Sequence, residues 1–123
     1  MTADVDTRFT RPVFERLRRV CLALPDTVEA IAWGHPVFKV GKQSFCALEM
    51  VEGRPSVALS ATTADVKRLM TKKDFFGTPY GRLVYVSRWL DGSINWRELE
   101  GLVKKSYGLA TSKASRKSQP RKA

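Results

Sequence analysis

The sequence has little of what catalytic and metal-binding sites need. Among its 123 residues there is one histidine, His35, and there are two cysteines, Cys21 and Cys46. A single histidine excludes the paired-histidine motifs of zinc enzymes, and no CxxC spacing supplies the missing ligands. The sequence also lacks a Gly-x-Ser-x-Gly nucleophile motif and a glycine-rich phosphate-binding loop. We therefore expect a protein that is not an enzyme and that holds no metal ion or cofactor.

Long apolar runs are missing as well. No stretch approaches the roughly 18 apolar residues that a membrane-spanning helix needs. The first six residues carry two acids and no apolar segment, unlike a secretory signal peptide. These observations favour a cytoplasmic protein with no membrane partner. In a reducing compartment Cys21 and Cys46 are expected to be buried free thiols, with a disulfide as the alternative.

Acidic residues are scarce relative to basic ones. Twelve Asp and Glu stand against 22 Lys and Arg, which gives a net charge of +10. The segment from Ser112 to Ala123 contains five basic residues and no acid, so half of the excess charge lies in a short tail. Such a charge favours polyanionic partners such as DNA, but it indicates neither a fold nor a target sequence.

Hydrophobic periodicity divides the chain into a helix, three or four strands, a second helix, one or two strands and a third helix. Thr10, Thr62 and Asn95 are predicted to cap the three helices, and Pro25 ends the first. The turns between the predicted strands are short, which makes successive strands antiparallel neighbours. This order predicts a two-layer α+β domain in which helices cover an antiparallel sheet.

The domain is predicted to span residues 9–110. Residues 1–8 are polar and are expected to be a flexible N-terminus. The third helix is expected to end at Tyr107-Gly108, and residues 111–123 are rich in Ser, Lys, Arg and Pro. We expect that basic tail to be disordered.

A β-hairpin is predicted around Gly41-Lys42, because a type II′ turn places glycine at its first central position. In this register Phe38 lies opposite Phe45 as an aromatic cross-strand pair. Lys39 falls opposite Ser44 on the other face. The hairpin therefore has an aromatic face and a basic tip.

His35 lies between Gly34 and Pro36, where a bend in the chain is predicted. A lone histidine in such a place more often has a structural role than a functional one, and we expect it to hydrogen-bond the bend. The sequence segment Trp33–Phe45 therefore identifies a fold more than a reaction.

Basic residues outside the tail are the candidate contacts with nucleic-acid phosphates. They are Lys39, Lys42, Lys72, Lys73, Arg82 and Arg88. Phe76 and Tyr80 could stack on bases, although packing against the sheet is the alternative for both. Arg88 shares its predicted strand face with apolar residues. For any single lysine, a solvated surface position is the slightly better interpretation.

Two groups of residues resemble the MmcQ/YjbR-like family, and together they cover about residues 9–110. The first is Leu24-Pro25, Val28-Glu29, Trp33-Gly34-His35-Pro36, Phe38, Val40-Gly41-Lys42, Phe45 and Ala47. The second is Tyr80, Leu90-Asp91-Gly92, Asn95-Trp96, Glu98-Leu99, Ser106-Tyr107 and Leu109. The chain departs from the pattern at Tyr85, where family members usually carry tryptophan.

The resemblance implies an α-β(3)-α-β(2)-α fold, similar to CyaY-like and secretion-chaperone-like architectures. It also implies a DNA-binding role through a proposed double-wing arrangement, with no catalytic residues to carry over. The motif residues Trp33, Gly34, His35, Pro36, Phe38, Gly41 and Phe45 are expected to be mainly structural.

The leading hypothesis is a small cytoplasmic, monomeric protein that binds DNA or another nucleic acid through basic surface residues and the tail. The alternative is a protein-interaction or small-ligand adaptor that uses the sheet face or the Trp33–His35 turn. An enzyme centred on His35 is a third and weaker hypothesis.

Overall fold

The computed structural model describes residues 7–77 and 84–118. A 3₁₀ turn (Thr7–Phe9) precedes α1 (Pro12–Leu22), and four strands follow: β1 (Thr27–Ala32), β2 (His35–Val40), β3 (Gln43–Val51) and β4 (Arg54–Ser60). The chain continues through α2 (Thr63–Leu69), β5 (Phe75–Gly77), β6 (Tyr85–Trp89) and α3 (Trp96–Ser118). No helix within the described residues is long and apolar enough to span a membrane.

All six strands form one antiparallel sheet in the order β1-β2-β3-β4-β6-β5. The predicted α+β class with an antiparallel sheet is therefore confirmed. Four strands precede α2, rather than the three that the resemblance implies. The last two strands exchange places, since β6 pairs with β4 and β5 lies at the edge.

Three two-residue turns join the first four strands. Trp33-Gly34 and Glu52-Gly53 have positive φ at both residues, which is the backbone of a type I′ turn. Gly41 has φ 61° while Lys42 does not have a positive φ, in agreement with the predicted type II′ loop. The first bend thus lies at Trp33-Gly34, and the prediction of a bend centred on His35 is wrong because His35 already belongs to β2.

The predicted pairing of Phe38 with Phe45 is also wrong. Phe38 lies opposite Cys46, because the register shifts between Phe38 and Lys39 while Lys39 keeps its predicted partner Ser44. One extra residue on β3, a β-bulge, accounts for the shift. Both phenylalanines are nevertheless buried in the core.

The helix caps follow local sequence in two cases of three. The Thr62 hydroxyl accepts a hydrogen bond from the amide of Asp65, and the Asn95 side chain accepts one from the amide of Glu98, both at 3.1 Å. Thr10 does not cap α1. Arg11 occupies the N-cap without a side-chain hydrogen bond, because Pro12 begins the helix one residue later than predicted.

The third helix continues past Gly108 to Ser118. It therefore includes residues 111–118, for which the sequence predicts disorder. Residues 119–123 of the tail lie outside the described part of the chain.

The main core lies between one face of the sheet and helices α1 and α3. Its fully buried side chains include Phe14, Leu17, Phe38, Leu48, Val57, Leu99 and Val103. A smaller cluster of Val66, Leu69, Phe75 and Val86 lies under α2. The opposite face of the sheet, which we call the open face, carries the alternate residues of each strand and has no helix of the described chain packed on it.

Both cysteines are buried free thiols, as predicted. The contact with Cys21, together with burial, raises the pKa of the Cys46 thiol well above its ordinary value. The raised pKa and burial make the Cys46 thiol unreactive in the folded protein, and Cys21 is equally shielded by burial.

Candidate nucleic-acid interface

The structure separates the predicted cations instead of gathering them. Lys42 is exposed at the β2–β3 tip, and Lys39 is half-buried beside it on β2. Lys72 and Lys73 precede the start of β5, which lies toward the β3–β4 turn at the opposite end of the sheet. These four lysines therefore cannot form one compact patch.

The predicted cations also differ in their availability. The ammonium group of Lys72 lies 2.8 Å from a carboxylate oxygen of Glu98, so its charge is already balanced. Lys73 is exposed and makes no ion pair with the described residues. Arg82 and Tyr80 lie outside the described residues.

Arg88 is not on the surface, so the prediction that it contacts phosphate needs correction. Its side chain is only 5% exposed, and its guanidinium lies over the ring of Phe75. One terminal nitrogen donates to the carbonyl of Trp89 at 2.7 Å, and the other lies 3.9 Å from Asp74. A guanidinium held in this way, inward among the apolar residues of β6, cannot reach a phosphate.

Most of the carboxylates in the described part of the chain take part in ion pairs. Arg18 contacts both Glu15 and Glu29, and the guanidinium of Arg54 donates twice to Asp91. The hydrogen bond with Arg54 lowers the pKa of Asp91, while Glu29 and Glu15 raise that of Arg18. The cations in these pairs contribute little positive potential beyond their partners.

The cations without an ion pair are concentrated on the helices. Arg11 is exposed at the N-cap of α1, Arg19 on α1, Lys67 on α2, and Arg97 and Lys104 on α3. None of them has an ion-pair partner among the described residues. We call these five residues the helical cations. They lie on the side of the sheet opposite the open face.

Helices α1 and α3 run side by side, which brings some of the helical cations together. The guanidinium of Arg16 lies 4.2 Å from the centroid of the Trp96 ring, and its nearest contact with Glu100 is 3.9 Å. Residues three or four positions further lie one turn along the same helix face. Arg19 and Lys104 occupy those positions, so two unpaired cations follow the Arg16–Glu100 pair on the same surface.

The phosphate contacts predicted from the sequence do not include these five residues. Glu100 lies three residues after Arg97 and four residues before Lys104, so helical spacing alone would pair it with either cation. Its carboxylate instead contacts Arg16 of α1, a tertiary contact for which the local sequence has no signal.

The family-motif residues do fill mainly structural positions, with one exception. Phe38 and Phe45 are core residues, and Gly34 and Gly41 supply positive φ in turns. Trp33 is the exception, because its side chain is 94% exposed.

Comparison with models of known protein families identifies the family of this chain. The YjbR family model matches residues 22–109, which span β1 to the middle of α3. The chain belongs to the YjbR family. This confirms the resemblance drawn from the motif residues. Among curated proteins, none matches the sequence.

Two solved structures show the same fold as this YjbR-family protein. A Deinococcus radiodurans protein, DR2400, whose domain is described as DUF419, is 23% identical with a TM-score of 0.70, and the similarity covers 79% of this chain and 77% of that one. A structural-genomics target from Pseudomonas syringae is 15% identical with a TM-score of 0.68, and here the similarity covers 78% of this chain and 97% of that one. At these identities the likeness establishes the fold alone.

Proposed function

We propose that this YjbR-family protein is a non-enzymatic, cytoplasmic monomer that binds nucleic acid through its helical cations. The observation that carries the proposal is the charge pairing. Carboxylates pair with Arg18, Arg54 and Lys72, whereas the helical cations are exposed and have no ion-pair partner among the described residues. Helix α3 extends the same charge toward a segment that contains Lys113, Arg116 and Lys117.

Phosphate contacts of this kind supply affinity without sequence preference. Each contact releases condensed counterions, so binding weakens as the salt concentration rises. Lys42 and Lys73 are exposed and make no ion pair with the described residues, and they can add contacts from the two ends of the sheet. Lys39 is half-buried and paired across the strands with Ser44, which gives it a shorter reach.

The test is a titration with duplex DNA at several salt concentrations. We expect Arg19→Gln with Lys104→Gln to lower the slope of log K against log salt by about 1.8, because each lost phosphate contact removes about 0.9. The matched control is Arg54→Gln with Lys72→Gln, which removes the same net charge from two cations held in ion pairs. The control should change the slope less.

Two results would overturn the proposal. Equal slope changes in the two double variants would mean that only net charge matters. Loss of all binding on removal of residues 112–123, with no effect of Arg19→Gln and Lys104→Gln, would place binding in the tail alone.

A second candidate function, a protein-interaction module, is favoured by the edge strand β1. Val28 is 62% and Ile31 is 69% exposed on this strand, and such apolar surface is common at protein contacts. A pull-down from nuclease-treated lysate separates the two functions. A partner that survives nuclease treatment and is lost with Val28→Ser and Ile31→Ser would favour this candidate.

A further inference from the structure

Trp33 combines two unfavourable features in one residue. Its side chain is 94% exposed, and its backbone has φ 57° at the first central position of a type I′ turn. Asn, Asp and Gly are the residues that such a position favours, and a bulky side chain there is strained. Strained residues with exposed apolar side chains are characteristic of functional sites.

A cavity of about 300 Å³ lies beside Trp33 on the open face. Val37, Ala47 and Ala58 form its floor, in one row across β2, β3 and β4. The short side chains of the two alanines allow a flat group to approach the sheet closely. The volume is at the lower limit of the roughly 300–1,000 Å³ of small-ligand pockets.

The wall of the cavity carries aromatic and polar groups. Trp33 and Tyr85 line it, and His35, Ser44 and Ser60 add side chains that can donate or accept hydrogen bonds. The Nε2 atom of His35 lies 3.6 Å from a carboxylate oxygen of Glu49. Its Nδ1 atom is buried and has no hydrogen-bond partner in the described residues.

Positive charge lies next to this cavity. Lys39 projects from the same face as Val37, two residues further along β2, and Lys42 is exposed at the adjoining tip. The occupant should therefore combine a flat aromatic group with an anionic linkage. A nucleotide in a single strand has both, whereas a base within a duplex is stacked and paired and cannot present its faces.

We infer that the open-face cavity holds an unpaired nucleobase stacked on Trp33, which gives the protein a preference for single-stranded over duplex nucleic acid. This inference rests on the proposed function, because the helical cations and lysines supply the phosphate contacts. It adds a second surface, on the other side of the sheet, that distinguishes the two forms.

The test compares a single-stranded oligonucleotide with a duplex of the same sequence at one salt concentration, using the full chain. Trp33→Ala should weaken single-strand binding at least fivefold, since base–aromatic stacking contributes about 1–3 kcal/mol per base, and should leave duplex binding within about twofold. Tryptophan and alanine at position 33 strain the turn equally, because the strain at positive φ comes from the Cβ atom that both residues carry. Ile31→Ala is the matched control, since Ile31 is 69% exposed but lies on the other face of β1. It should change neither affinity.

Ala47→Leu is the second variant, because it adds volume at the cavity floor while Trp33 and every cation stay in the sequence, and its thermal unfolding reports whether it folds. It should reproduce the selective loss of single-strand binding. Unchanged single-strand affinity in Trp33→Ala, or an equal loss for both nucleic acids, would overturn the inference. Salt-dependent duplex binding would persist in that case, whereas failure of the proposed function would abolish binding of both forms.

Discussion

Ser106 joins α3 to two strands of the sheet, and its removal tests how the β3 bulge is stabilised. The side chain is fully buried. Its hydroxyl donates to the carbonyl of Phe45, the extra residue of the β3 bulge. The same hydroxyl accepts a hydrogen bond from the amide of Ser60 at 2.9 Å. A bulge leaves backbone groups unpaired in the ladder, and this one side chain satisfies a group on each of two neighbouring strands.

Ser106→Ala would leave a buried carbonyl and a part-buried amide without these partners. A buried unsatisfied group costs about 1–3 kcal/mol and the part-buried amide costs less, so the free energy of unfolding should fall by about 2–4 kcal/mol. For a chain of this length that corresponds to a decrease in Tm of roughly 6–20 °C. Urea unfolding followed by circular dichroism measures the change.

Ser112→Ala is the control on the same helix, since Ser112 is exposed and has no hydrogen bond within the described residues. Alanine has the higher helix propensity, so this variant should be neutral or slightly more stable. A loss below about 0.5 kcal/mol for Ser106→Ala, which is the usual range of surface substitutions, would refute the claim that this hydroxyl satisfies both strands.

Three further outcomes follow from the structure. Trp33→Asn should raise the free energy of unfolding by up to about 1 kcal/mol in a denaturant titration, because asparagine tolerates positive φ better; a loss of stability would contradict the strain argument. Cys21 and Cys46 should resist a thiol reagent in the native protein and react on unfolding, because both are buried and the pKa of Cys46 is raised; rapid labelling of folded protein would contradict it. Arg54 lowers the pKa of Asp91, so ionised Asp91 stabilises the fold above the ordinary pKa of aspartate. This contribution should disappear as pH falls below about 4. The pH dependence of Tm in this window should therefore be flatter in Arg54→Ala than in the unmodified protein.

Local signals account for much of what the sequence predicted correctly. Asn95 and Thr62 cap their helices because the capping hydrogen bond spans only three residues. Gly41-Lys42 forms the predicted loop because its type depends on one positive φ. Such interactions are encoded in neighbouring residues, so pattern reasoning reaches them.

The predictions failed for structural features that depend on residues distant in the chain. The bulge that moves Phe45 away from Phe38 lies at the carbonyl to which Ser106 donates, 61 positions from Phe45 in the chain. Gly108 does not end α3, because a helix end depends on the whole terminal segment and not on one residue with a low propensity. Ser106 itself belongs to the motif on which the family resemblance rests, and its two hydrogen bonds give that motif a physical reason.

The positive charge of the candidate site was predictable from the sequence, but its location was not. The excess of basic residues is visible in the composition, but the pairing of Lys72 with Glu98 joins positions 26 apart. The burial of Arg88 depends on the neighbouring strand that carries Phe75. Tertiary ion pairs select which cations remain available, and a sequence alone does not contain that selection.

The order of the strands has a consequence for synthesis of the chain. Because β6 lies between β4 and β5, the partner of Ser60 is Tyr85, and the intervening segment must be translated before β4 gains its second neighbour. At about 5–20 residues per second this takes roughly one to five seconds. During that interval the nascent β1–β4 meander has an unpaired apolar edge and no α3 to cover it. Nascent chains should therefore recruit ribosome-associated chaperones at this stage, and slower codons between β4 and β6 should lower the soluble yield.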